Sequence, residues 1–374
     1  MRSPGFSTEA VNAMTPPVDE RAIQSTLSTF FRAPAQMAQI TELAGDASSR
    51  RYYRIRMAPG SPLSSLVLMR YPEEIQLGGE LPFVNVHRYL RKAGVPVPEI
   101  YLAAPEAKLL FLEDAGDTML EGAVKAARAE EDVLPLYERC VEILVRIQWG
   151  GTTALDGNAI PARLAFDVRK FREEIDFFFE HAVRGYGGIA LSENDQRGIE
   201  DLFLPFLEEM AALPRVLAHR DYHSRNVMVL PVTPGRQSEL RILDFQDARM
   251  GNVFYDLCSL LRDSYVTLSD KAVDHLCYAY RHASPAGLKA RWGDPAAFAW
   301  RIDAAALQRN VKAIGTFGNQ VRNRGKTFYL RFIPPTVATL AANFDRNPRM
   351  RPLSRKLLPI LASLASKAAT ETPP

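Results

Sequence analysis

The residues with the clearest chemical potential in this 374-residue chain lie in one short run, His219-Arg220-Asp221-Tyr222-His223-Ser224-Arg225-Asn226. Asp244-Phe245-Gln246 follows after two apolar segments, Val227–Leu230 and Leu240–Leu243, which read as the strands of a hairpin. A hairpin of that length returns Asp244 to the side of the loop that carries Asp221 and Asn226. A carboxylate on a loop can take the proton of an attacking hydroxyl, and an amide and a second carboxylate beside it can hold Mg²⁺ on the phosphates of a nucleotide. Phosphoryl transfer needs both functions close together. Singly, each residue reads as a polar turn or a strand end, since Asp, Asn, Ser and His all favour loops. The full spacing, with a hairpin inside it, separates chemistry from turn.

Other elements must position this set. Asp19 can cap a helix whose apolar residues Ile23, Leu27, Phe30 and Phe31 share one face. Met37–Ala44, Arg51–Met57 and Leu66–Tyr71 are short β-prone runs in meander order, broken by Gly45-Asp46-Ala47-Ser48-Ser49 and by Pro59-Gly60-Ser61-Pro62. A helix over Leu81–Lys92 stops at Gly94, and Pro96 and Pro98 lead into extended stretches at Ile100–Ala103 and Leu109–Glu113. From Val133 onward helical periodicity dominates: Leu136–Trp149, Phe166–Arg184, Glu193–Leu213, Phe254–Tyr265, Ala272–His282, Pro295–Asn319, Tyr329–Phe344 and Leu353–Ala365. Arg215–Ala218 and the hairpin strands interrupt it. The pattern predicts an α+β chain in two lobes: a loose start over 1–18, a small β-rich lobe over 19–116 and a larger, mostly helical lobe over 117–370. A ligand is expected in the crevice between them.

Composition narrows the function. Forty-six basic residues against 43 acidic ones leave a net charge of +3, too balanced to predict a nucleic-acid partner. Cys140, Cys258 and Cys277 are widely spaced in apolar, helix-like runs, which predicts reduced core cysteines and no disulfide framework or metal cluster. Neither a signal-peptide core nor a run of about 18 apolar residues is present, so a cytoplasmic protein with no membrane segment is expected, as a monomer or weak dimer.

The motifs resemble those of the aminoglycoside phosphotransferase and choline kinase superfamily, and within it the bacterial anomeric sugar kinases that phosphorylate N-acetylmuramic acid and N-acetylglucosamine. The resemblance spans most of the chain. It is carried by Gly45–Arg54, by Phe111-Leu112-Glu113-Asp114-Ala115-Gly116-Asp117, by the His219–Asn226 loop, by Leu243–Ala248, by Tyr255–Asp263 and by Gln308–Gly315. It implies a protein-kinase-like fold and an ATP- and Mg²⁺-dependent transfer to the anomeric hydroxyl of an amino sugar, in cell-wall sugar recycling. Asp221 would be the base, Asn226 and Asp244 the magnesium ligands, and His219 and Asp256 structural supports of the loop. Asp256 also has its own physical reason: a carboxylate in an apolar helix start must accept hydrogen bonds, although a first-turn carboxylate favoured by the helix dipole is the plainer alternative. The commoner superfamily loop has Gly where Arg220 stands and Pro-Gly before the asparagine; the departures resemble the anomeric-kinase subgroup.

Nucleotide contacts are expected from Gly45, Ser48, Ser49 and Arg50, whose amides and hydroxyls could lie over phosphates, although the same residues suit a plain hairpin turn. Most kinases carry a lysine on the next strand; this chain offers Arg70, with Arg50 or Arg51 as other cations. Glu113 and Asp114 fall where the interlobe hinge would meet adenine. Gly325-Lys326-Thr327 lacks the earlier glycine and the strand of a P-loop, which excludes that class. His223 could touch substrate or be a loop histidine. In the predicted helix Pro295–Asn319, Leu307, Val311, Ile314 and Gly315 mark a buried stripe, leaving Arg309 and Lys312 on another face, solvated or facing a substrate carboxylate. Rival readings are a kinase for another small alcohol, such as an aminoglycoside, choline or homoserine, and a non-catalytic binding module.

Overall fold

The computed structural model describes residues 19–43, 50–72, 80–231 and 238–372. The expected phosphate-loop residues Gly45, Ser48 and Ser49 lie outside them. Two compact units account for the chain: one from the described residues of Met1–Glu73 and Glu99–Asp114, the other from those of Glu74–Pro98 and Ala115–Pro374.

The first unit is one antiparallel sheet backed by one helix. Strands β1 (Met37–Leu43), β2 (Arg51–Met57), β3 (Ser65–Arg70), β4 (Ile100–Ala104) and β5 (Leu109–Glu113) form a sheet of order β1-β2-β3-β5-β4. The helix Glu20–Phe31 begins where Asp19 Oδ1 accepts the N–H groups of Arg21 and Ala22, and it lays Ile23 and Leu27 on Ile55, Leu66, Leu68 and Phe111. Arg54 is buried in β2 and is held by Asp114: Nε lies 2.8 Å from Oδ2 and Nη2 donates to Oδ1 at 2.9 Å. This two-point geometry is what a buried arginine needs to offset its lost hydration.

The second unit is mostly helical. Its principal helices are Pro82–Lys92, Leu134–Val145, Val168–Phe178, Glu193–Ala212, Val253–Leu261, Asp270–Ala283, Phe298–Arg324, Ile333–Arg346 and Arg351–Glu371. Only short strands intervene: β6 (Val216–Ala218) pairs with β9 (Arg249–Gly251), and β7 (Val227–Val229) with β8 (Leu240–Ile242). Val168–Phe178 continues into a π-helical stretch, Phe179–Tyr186, and the long helix packs at two glycines against the end of the first and the middle of the second. A Cβ on Gly315 would lie 2.8 Å from Phe178 Cα, and one on Gly318 would lie 2.6 Å from the His181 carbonyl. The backbones therefore meet with no side chain between them.

Some expectations need correction. The long helix starts at Phe298 and runs to Arg324, where Gly325, at φ +65°, caps its C-terminus. The Gly-Lys-Thr run is thus a helix stop. Helix Leu120–Ala126 and strand β9 were not expected; Arg-Met-Gly has no strand pattern of its own and is extended because β6 pairs with it. Cys140 and Cys258 are buried free thiols, but Cys277 is only partly buried. Among the described residues no helix is long and apolar enough to cross a membrane.

Candidate active site

Strand β6 ends at Ala218 and the chain turns into the loop that carries Asp221. Asp256, fully buried in the first turn of helix Val253–Leu261, fixes that turn: Oδ2 accepts the His219 N–H at 2.6 Å and Oδ1 accepts the Arg220 N–H at 3.0 Å. Burial pushes its carboxyl upward, while His219 and the two N–H groups pull it back. Arg220 adopts φ +86°. A side chain in that conformation costs about 1 kcal/mol or more, which gives a physical reason for glycine at this place in the commoner loop.

His219 ties the loop to the hairpin. Its Nε2 lies 2.9 Å from the Leu243 carbonyl and its Nδ1 faces the Asp221 N–H at 3.3 Å. One contact requires a proton and the other a lone pair, so the ring is neutral with hydrogen on Nε2. Burial lowers its pKa in the same sense. Asn226 donates from Nδ2 to the Asp221 carbonyl at 2.8 Å, which directs its amide oxygen away from that bond. Its own carbonyl accepts the Leu243 N–H at 2.9 Å, at the base of the β7–β8 pair whose register is Val227↔Ile242. Asp244 follows directly, at φ +58°, with Oδ1 accepting from Gln246 Nε2 at 2.8 Å. The hairpin thus sets Asn226 and Asp244 at the same end of the strand pair.

The carboxylate of Asp221 meets two cations. Lys312 Nζ, from the long helix, donates to Oδ1 at 3.0 Å, and Arg220 Nε stands 3.8 Å from Oδ2. Burial opposes ionisation of Asp221, but Lys312 and Arg220, with Arg309 behind them, outweigh it and hold the carboxyl well below the usual carboxylate range. Asp221 is therefore an anion at any physiological pH. Lys312 also reaches Tyr255 Oη at 3.4 Å and lies 4.0 Å from Glu174 Oε1. Arg309, expected on a face either solvated or turned to a substrate carboxylate, is buried and donates from Nε to Ser259 Oγ. His223 packs edge-on against Tyr265 with ring centres 5.0 Å apart, and its Nδ1 is buried without a hydrogen-bond partner. Burial, then the nearby Arg309, push its pKa well down, so it too is neutral.

Sequence reasoning missed several members of this group. Asp263 is a second buried support: Oδ2 accepts the Ser224 N–H and Oδ1 the Tyr265 N–H, both at 2.9 Å. Arg225 lies 4.9 Å from the Tyr265 ring centre, 5.3 Å from Phe328 and 5.8 Å from Tyr329, with Glu121 Oε2 3.4 Å from its Nε. Glu174 has no motif around it. Asp263 could have been found by the argument used for Asp256, a lone carboxylate closing an apolar helical run. In the first unit, Arg50 precedes β2, Arg70 ends β3 opposite Arg51, Glu113 Oε2 accepts the Glu99 N–H at 3.1 Å, and Asp114 holds Arg54.

Comparison with known proteins follows the same lines. Residues 39–297 match the model of the phosphotransferase enzyme family. The chain belongs to that family. This phosphotransferase is 28% identical over 345 residues to an N-acetylmuramate/N-acetylglucosamine kinase of Pseudomonas putida, covering 91% of this chain and 95% of that one. A protein of the same description from Pseudomonas aeruginosa is 29% identical, with 88% and 90% covered. Among solved structures, choline kinase LicA of Streptococcus pneumoniae superposes with a TM-score of 0.56 at 15% identity, covering 86% of this chain and 99% of that one. The ADP-bound aminoglycoside phosphotransferase APH(2'')-Ib gives 0.54 at 13% identity, covering 86% and 98%. These structures establish the protein-kinase-like fold of the phosphotransferase.

Its donor set fits a hard divalent cation. Among the described residues no group of three or more His, Cys, Asp or Glu is arranged to hold a metal unaided. Asn226 and Asp244 offer one amide and one carboxylate, the sparse oxygen set that suits Mg²⁺, which keeps several waters and takes its remaining ligands from phosphates.

Proposed function

We propose that this phosphotransferase moves the γ-phosphoryl group of ATP to the anomeric hydroxyl of an amino sugar, N-acetylmuramate or N-acetylglucosamine. The observation that carries the reading is Asp221: a carboxylate on a loop braced by the buried Asp256 and Asp263, with Asn226 bonded to its carbonyl and His219 tying the loop to Leu243, the residue before Asp244. The names of the relatives, at 28% and 29% identity over most of their length, support the choice of substrate.

In this reading the substrate hydroxyl lies against Asp221, which orients it and accepts its proton as the new O–P bond forms. The bond between the γ-phosphorus and the β–γ bridging oxygen breaks, and ADP leaves. An anomeric hydroxyl is more acidic than a simple alcohol, so a carboxylate of depressed basicity suffices. Phosphoryl transfer through a loose transition state asks more for position than for a strong base. Asn226 and Asp244 hold Mg²⁺, which neutralises charge on the phosphates when bound. His219 and Asp256 keep the loop in register. Gly45, Ser48, Ser49 and Arg50 are assigned to the phosphates, with Arg70 as the strand cation, and Glu113 and Asp114 to the adenine side. His223 and Lys312 are the candidates for contact with the sugar, and Arg309 acts on them through its charge.

A panel of amino sugars, aminoglycosides, choline and homoserine, with ATP and Mg²⁺, tests the proposal, the phosphorylated position being read by NMR. Anomeric phosphate on the amino sugars is the expected result. Transfer to a different alcohol, or no turnover at all, refutes it. Asp221→Asn and Asp244→Ala should each lower kcat/KM at least about a hundredfold, and near-wild-type turnover in either removes the assignment.

A further inference from the structure

Glu174 is a buried carboxylate near Asp221 that neither braces the loop nor belongs to the metal set. It lies on helix Val168–Phe178, 5% exposed. Its Oε2 accepts from Gln308 Nε2 at 2.7 Å, which fixes the rotamer. Its Oε1 is buried and has no hydrogen bond; Lys312 Nζ stands 4.0 Å away, turned to Asp221 at 3.0 Å. A buried carboxylate oxygen without a donor is costly, and a nearby cation at that distance does not replace the missing hydrogen bond. A fully satisfied structural carboxylate, such as Asp256 or Asp263, shows the contrast: both of its oxygens take an N–H.

Because both oxygens neighbour the same ammonium, Glu174 Oε1 and Asp221 Oδ1 are separated by at most about 7 Å, the sum of the two distances. That is the span of one hexose ring with its hydroxyls. The close approach at Gly315 and Gly318 brings the long helix, with Gln308 and Lys312, onto the helix of Glu174, so the arrangement is built into the packing and does not depend on a loop.

We propose that Glu174 Oε1 is a substrate-binding acceptor: it takes a hydrogen bond from a hydroxyl or acetamido N–H of the sugar while the anomeric hydroxyl lies on Asp221. This rests on the reading of the site given above. An anion at this place selects the donor groups of the sugar and disfavours a second carboxylate beside it. Specificity for an amino sugar would then come from a carboxylate on one helix whose second oxygen is locked by a glutamine on another.

The test is a cycle between enzyme and substrate. Wild type, Glu174→Ala and Glu174→Gln are assayed for kcat/KM on N-acetylglucosamine and on analogues lacking one hydroxyl, or the acetamido N–H, at a time. Wild type should lose about ten- to a hundredfold on one particular analogue, the range for a hydrogen bond to a charged group. Glu174→Ala should lose a similar factor on the parent sugar and lose nothing further on that analogue, while Glu174→Gln, which keeps an acceptor, falls between. A carboxylate that merely stiffens the helices would lower all sugars together and leave the wild-type pattern of discrimination intact; that pattern in both variants overturns the proposal. If Glu174→Ala does not fold, the isosteric Glu174→Gln decides by the same pattern. A wild type that phosphorylates no amino sugar overturns the reading of the site and this inference with it, an outcome distinct from an active wild type with unchanged discrimination.

Discussion

Replacing Lys312 by methionine probes the electrostatics of the centre most directly. Lys312→Met keeps much of the apolar stem and removes the ammonium that sits 3.0 Å from Asp221 Oδ1. At an effective dielectric constant of about 20 the lost Coulomb attraction is about 5 kcal/mol. Asp221 is a quarter exposed and Arg220 remains 3.8 Å from its other oxygen, so solvent and the second cation absorb part of the loss. The carboxyl should therefore rise from its depressed position toward the ordinary carboxylate range. The assay is kcat/KM against pH, with wild type and variant at saturating ATP and Mg²⁺. Asp221 must be ionised to act, so the acid limb of the variant should move to higher pH. Stability gives an independent reading. The folded-state carboxyl lies below its unfolded value, so its contribution is fully present above the unfolded pKa of about 4 and is lost as pH falls through the folded value. The difference in urea stability between the two proteins should therefore be largest near neutrality and shrink in acid. An acid limb that stays in place, or a stability difference that persists at low pH, refutes the ion-pair account.

Other expectations follow from the same contacts. Asp256→Ala strands two buried N–H groups, those of His219 and Arg220, and should cost about 2–4 kcal/mol by denaturant titration along with most activity; wild-type stability would show that the loop is held by something else. Gly315→Ala places a methyl 2.8 Å from the Phe178 backbone and should destabilise by about 1–3 kcal/mol in a thermal melt, with KM for the sugar rising because Lys312 and Gln308 ride on the same helix; an unchanged melting temperature would contradict the close packing. Arg54→Met removes a buried guanidinium from its two-point pairing with Asp114 and should lower stability by about 3–5 kcal/mol at pH 7 by denaturant titration; no loss would mean that the pair is not formed in solution.

How far the site could be read beforehand depends on whether its members are neighbours along the chain. Asp221, Asn226 and Asp244 are separated only by a loop and one hairpin, so local spacing carries their relationship, and the strand pattern of Val227–Val229 and Leu240–Ile242 supplies the turn between them. Asp256 was reachable because a buried polar group must find partners, and His219 because the resemblance implied its place in the loop. Lys312 was read as lying on a face apart from the buried stripe, solvated or turned to substrate; it is bonded to Asp221 across 91 positions of sequence. Asp263 closes one of the runs that carry the resemblance, yet its role was not read from it, and Glu174 carried no periodic or motif signal.

By itself the sequence determined the chemistry on offer, the order of the five sheet strands and of the principal helices, and boundaries such as the Asp19 cap, because these depend on conformational preferences of a few adjacent residues. Only the tertiary structure decided that the Arg220 backbone is held at φ +86°, that strand β9 exists, and that two glycines bring a lysine, a glutamine and a glutamate from distant helices to the side of Asp221. Those arrangements depend on which faces meet, and burial makes that choice over the whole unit at once, where no local pattern records it.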